Sequence, residues 1–123
     1  MDKTNLKRFL ISDLKRELSE NRVAAGRHGE YIRFFREHLG DDQCYCLSDS
    51  NPDRPTEFTY TGKKHSRTYL AGGISQYFVK ATVVINGQTL PAIIQKIFLK
   101  TAEDFRRIED YTVYLSKNAV DSL

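Results

Sequence analysis

An Asn-Gly pair set between two long β-rich runs constrains this chain more than any other feature. Residues 76–100 read QYFVKATVVINGQTLPAIIQKIFLK, with Asn86 and Gly87 between the two runs. A type I′ turn needs positive φ at both central residues, and Asn-Gly is the pair best suited to it. The register follows directly. Ile85 faces Gln88, Val83 faces Leu90, Ala81 faces Ala92 and Val79 faces Ile94, all on one face that ends at Tyr77 and is expected to be core. The opposite face carries Val84, Thr82, Lys80, Phe78 and Gln76 against Thr89, Pro91, Ile93 and Gln95, a mixed surface that is either partly wet or covered.

Pro91 checks this register, because proline has no N–H for a ladder. Counted from the turn, it falls at a non-bonded position with its nitrogen turned away from the hairpin partner. The second strand is therefore expected to be an edge, or bulged, at that point. Beyond Gln95, Ile97-Phe98-Leu99 breaks the alternation, which predicts a bulge or burial on both faces.

Around the hairpin the pattern predicts one α+β domain over the 123 residues, with a helical part over 1–40, a sheet over 43–100 and a C-terminal helix over 101–117. Leu6, Leu10, Leu14 and Leu18 recur at i+4 steps after an Asn5 cap and predict a first helix. Tyr31, Phe34, Phe35 and Leu39 form the stripe of a second, from about Glu30 to a Gly40 C-cap. Gln43–Leu47 reads as a short strand in a polar loop. Residues 57–61 and 66–71 alternate as two further strands around a Gly62-Lys63-Lys64 turn. Thr101-Ala-Glu-Asp opens the last helix in capping-box style, with Phe105, Ile108, Tyr111, Thr112 and Leu115 on its inner face. The expected architecture is an antiparallel sheet of about four or five strands, with two N-terminal helices and one C-terminal helix packed on one face.

The net charge is only +3, but it is unevenly spread. Residues 63–100 hold Lys63, Lys64, Arg67, Lys80, Lys96 and Lys100 and no Asp or Glu, whereas residues 41–62 hold five acids against one arginine. A one-signed field favours an anionic macromolecule, either an acidic protein surface or nucleic acid. Phe58, Tyr60, His65, Arg67 and Tyr69 intermix aromatic and basic groups around Lys63-Lys64, as a sheet that stacks bases and holds phosphates requires. The partner-binding residues expected on this ground are Tyr60, Lys63, Lys64, His65, Arg67, Tyr69 and Lys80. The simplest function is a small regulatory or inhibitory binding module, acting on a protein or a protein–nucleic acid assembly. Nucleic-acid binding is one alternative and a small ribonuclease-like enzyme another, and a free sheet edge would also allow a homodimer.

Catalysis and metal binding have weaker support. Arg33 and His38 have the spacing used by some helical ribonucleases, yet five residues turn about 140° around a helix. No catalytic residue is therefore assigned and no enzyme is expected. Cys44 and Cys46 with His38 fall short of paired four-ligand zinc spacing, so neither metal nor cofactor is expected. Two cysteines make no disulfide framework, MDKTNLKRFL has no apolar signal core, and no run is long enough to span a bilayer. A cytoplasmic location is the corresponding expectation.

Overall fold

The computed structural model describes residues 4, 6–14, 16, 28–69, 74–100 and 105–123; the side chains of residues 9, 28, 63–69, 74–76, 97–100 and 105–109 lie outside that description. Within it the chain forms β1 (Lys7–Leu10), a 3-10 turn (Ile11–Asp13), α1 (His28–Leu39), β2 (Gln43–Leu47), β3 (Thr59–Tyr69), β4 (Ile74–Ile85), β5 (Gln88–Lys100), β6 (Phe105–Ser116) and α2 (Lys117–Asp121). The strands make one antiparallel six-stranded sheet in the order β1-β2-β6-β5-β4-β3. The fold is α+β, with more strands and, among the described residues, less helix than the sequence pattern predicts.

The β4–β5 hairpin has the predicted register throughout, from Ile85 opposite Gln88 to Val79 opposite Ile94. Asn86 and Gly87 take φ of 51° and 78°, as the turn demands. Pro91 sits opposite Thr82, and β6 begins to pair with β5 only at Ala92, so β5 is an edge where the proline lies. The alternation does break at Ile97 and Phe98, but the inserted residues are on β6, where Asp110 and Arg107 are the successive partners.

The last expected helix is overturned, and the first is overturned as far as Asp13, with Leu14 and Arg16 helical. Lys7–Leu10 pairs antiparallel with β2 as a strand, and the chain then enters the 3-10 turn at Ile11, whose N–H reaches Asp42 O at 2.8 Å. The i+4 leucines therefore do not share a helical stripe. Leu6 packs against one face of the sheet, while Leu14 belongs to the core on the other. Leu18 lies outside the described residues. The stretch expected to be the last helix is the strand β6, followed by only five residues of helix in α2. Tyr111, Val113 and Leu115 face one way while Tyr114 and Ser116 face the other, and Val113, Tyr114, Leu115 and Ser116 are all buried. A strand buried on both sides loses its period-2 signature. The Thr101 capping box lies outside the described residues.

The third correction concerns β3. The predicted Gly62-Lys63-Lys64 turn is the interior of one strand of 11 residues. Its register against β4 slips twice, between Tyr60 and Lys64 and between His65 and Thr68, so bulges stand where a turn was expected.

Nor do the helices share one face. α1 covers the face of Phe78, Ile93 and Tyr114, against which Tyr31, Ile32, Phe35 and Leu39 are buried. Edge-on ring pairs fill this layer, with Phe35 5.3 Å from Phe78 and 5.0 Å from Tyr114. Tyr114 donates to Gln95 Oε1 at 2.8 Å, giving the buried amide a partner. α1 ends at Gly40, with φ 65° and its N–H on Arg36 O at 2.8 Å, an αL cap.

The opposite face, carrying Tyr77, Val79, Ala81, Val83, Leu90, Ala92, Ile94, Val113 and Leu115, is buried although no long helix among the described residues lies on it. Val120 of α2 covers one end of it. Leu6, Phe58, Tyr111, Ala119 and Leu123, each partly buried, pack against it as well. β3 and β6 stand three strand spacings apart, roughly 14 Å in a flat sheet, yet the ring of Phe58, just before β3, is 5.6 Å from that of Tyr111 on β6. The loop ahead of β3 therefore carries Phe58 back across this face to β6, and Arg54 and Phe58 from that loop both contact Tyr111.

Candidate functional site

This second face brings together an aromatic and basic cluster at its rim. The loop after β2 is braced by Asn51, whose Oδ1 accepts from Ser48 N–H at 2.9 Å and whose carbonyl accepts from Arg54 N–H at 3.1 Å. Arg54 is thereby aimed at β6. Its guanidinium donates to Tyr111 O at 2.6 Å, lies 3.9 Å over the Tyr111 ring and stands 3.8 Å from the Asp110 carboxylate. Tyr111 answers by donating its hydroxyl to Pro55 O at 2.9 Å. This strap sets the position of Phe58, which packs between Tyr111 at 5.6 Å and Tyr60 at 5.5 Å.

Tyr60 is the outermost ring and is 47% exposed. Lys96 on β5 reaches back across the same face, with Nζ 5.1 Å from the Tyr60 centroid and 5.6 Å from that of Phe58. Among the described residues Lys96 has no carboxylate partner, whereas Arg54 is already engaged by Asp110. Glu57, exposed, lines a shallow hollow of about 240 Å³ with Phe58, Thr82 and Val84 toward the hairpin tip.

Of the residues expected to bind, Tyr60 belongs to this cluster and Lys80 does not. Tyr60 pairs with Ala81, so Lys80, one residue away, projects from the α1 face, where its Nζ is 5.4 Å from the Phe34 ring. Lys63, Lys64, His65, Arg67 and Tyr69 all lie on the backbone of β3 beside Tyr60, and their side chains are outside the described residues. Lys64 pairs with Val79, His65 with Phe78 and Tyr69 with Ser75. Sequence reasoning missed Arg54, Lys96 and Tyr111 as site members. Lys96 was visible only as one cation in a basic tract, and Tyr111 looked like the inner face of a helix. Arg54, the lone base in an acidic loop just ahead of Pro55, was the one available signal.

Other clusters are structural. Asp41 caps the turn into β2 and the start of α2, and Tyr45 donates to Asp121 at 2.6 Å. That hydrogen bond, followed by burial, pushes the Tyr45 phenol above its usual range; the same carboxylate, 2.6 Å from Lys117, raises the lysine. Arg33 is exposed on a groove of about 430 Å³ with Ser12, Gly29, Ile32 and Arg36, while His38 Nε2 sits 3.2 Å from Ala81 O. Their spacing therefore does not assemble a site. Cys44 is buried and Cys46 half-buried, neither in a disulfide, and among the described residues no three His, Cys, Asp or Glu side chains are gathered as a metal would require. No helix among the described residues is long and apolar enough to cross a membrane. Comparison of the chain with family models, with curated proteins and with solved structures returns no match.

Proposed function

We propose that this protein is a binding module that captures an anionic macromolecule on the β3 side of its sheet, and so regulates or inhibits the assembly to which that partner belongs. The observation that carries the reading is the Tyr60–Lys96 cluster at the rim of the sheet face opposite α1. It borders an edge strand bearing Lys63, Lys64 and Arg67, within a 38-residue tract, 63–100, that contains no acid. The described carboxylates Asp41 and Asp121 are tied up at the far end of the sheet, around α2. A positive field of this kind both steers and holds an anion.

A partner at this edge would be held by side chains more than by strand addition. The two register slips on β3 interrupt the row of backbone groups that an added strand needs. The test is capture of the partner by immobilised protein from the native host, with and without nuclease. Lys63→Glu, Lys64→Glu and Arg67→Glu combined should abolish capture and leave the melting temperature unchanged. Capture undiminished by the triple change would refute the reading.

A further inference from the structure

We infer that the ring of Tyr60 and the ammonium group of Lys96 form a subsite for one unpaired nucleotide, so that the anionic partner is single-stranded nucleic acid. This rests on the binding-module reading and adds the chemical class of the partner. Among the described residues, the exposed large apolar side chains are Leu10, Tyr60 and Val84, at 47%, 47% and 67%. Tyr60 alone of these offers a π face with a cation beside it. Its ring is buttressed in depth: Phe58 meets it edge-on at 5.5 Å and 62°, Tyr111 backs Phe58, and Arg54 backs Tyr111. A ring held this way loses little freedom when something stacks on it.

The two groups match the two halves of a nucleotide. A base needs a flat, supported, half-exposed ring, and its phosphate needs a cation not already neutralised. Arg54 does not meet the second need, since Asp110 and the Tyr111 carbonyl occupy it. Lys96 does. An acidic protein surface would answer Lys96 but leave the Tyr60 ring without a flat partner. In a duplex the bases are already stacked and paired, so their faces are closed to it.

The experiment measures fluorescence anisotropy of a short labelled oligothymidylate and oligouridylate at two salt concentrations, with a duplex and polyglutamate as competing probes. The expected result is that single strands bind more tightly than duplex or polyglutamate. Tyr60→Phe, which keeps the ring, should bind like the parent, and Tyr60→Leu should lose about tenfold in affinity. Lys96→Gln should lower the salt dependence by about one released counterion. Thermal melts of each variant separate loss of binding from loss of fold. Absence of single-strand binding, or Tyr60→Leu binding as well as the parent, overturns the inference. If polyglutamate is preferred and the triple change at Lys63, Lys64 and Arg67 releases it, the nucleotide subsite fails while the binding-module reading stands. If no anionic probe responds to the triple change, both fail.

Discussion

Replacing Asp41 with asparagine tests how the helical layer and the C-terminal element are tied together. One carboxylate oxygen accepts from Gln43 N–H at 3.1 Å, and the other accepts from Ser116 Oγ–H at 2.8 Å and Asn118 N–H at 2.9 Å. Ser116 is itself the N-cap of α2, accepting from Ala119 N–H at 3.3 Å. Asn keeps the shape of the side chain but exchanges an acceptor for a donor, so at least one of these three N–H or O–H groups loses its partner. Loss of a cap costs about 0.5–2 kcal/mol. Water screens the half-exposed carboxylate, which places the expected cost near the middle, about 1 kcal/mol. For a chain of this size that lowers the melting temperature by roughly 3–6 °C.

The pH dependence gives the sharper test. Burial is the largest single influence on Asp41 and raises its pKa, but the N–H groups of Asn118 and Gln43 and the Ser116 hydroxyl together outweigh it, holding the carboxyl below 3.8. With the folded-state value depressed, the unfolded chain takes up the proton first. The carboxylate's contribution is therefore full above about pH 4 and is lost as pH falls through the folded-state value. Urea denaturation followed by circular dichroism at neutral pH should separate parent from Asp41→Asn by the stated amount, and the gap should close in strong acid. A gap that is absent at neutral pH, or equally wide in acid, refutes the capping argument.

Phe35 is fully buried and touches Phe78 and Tyr114 edge-on, so Phe35→Ala should cost about 3–5 kcal/mol in chemical denaturation. A loss under about 1 kcal/mol would mean that α1 is not seated as described. Tyr111→Phe removes the donor to the Pro55 carbonyl while keeping the ring that supports Phe58. It should cost about 1 kcal/mol, leave oligonucleotide affinity within about twofold of the parent and speed proteolysis of the 48–58 loop. Unchanged proteolysis would show that the strap does not hold the loop.

What could be read from the residues depended on whether a local rule had a competitor. In the hairpin, Asn86-Gly87 and strict alternation agree, so register, core face and the position of Pro91 were all legible. α1 was equally plain, because the Tyr31–Leu39 stripe and Gly40 point to one answer. At the N-terminus the i+4 leucines spoke for helix, and nothing in Lys7–Leu10 announced β2 as its partner. Over Phe105–Ser116 a helical spacing coexisted with a β-prone Tyr-Thr-Val-Tyr run, and burial on both faces hid the alternation. Those segments became strands because β2 and β5 each present an open row of backbone donors and acceptors that only a neighbouring strand can satisfy.

The candidate site divides along the same line. Local chemistry determined the basic tract, the aromatic residues that accompany it and the hairpin on which the sheet is built, since these follow from turn sterics and composition alone. Tertiary structure decided that Tyr60 and Lys96 share a face while Lys80 faces α1, and that Arg54 and Tyr111 support them. The reason is geometric: side chains on adjacent residues of a strand point to opposite faces, and Phe58 meets Tyr111 only because the loop ahead of β3 returns across the sheet to β6.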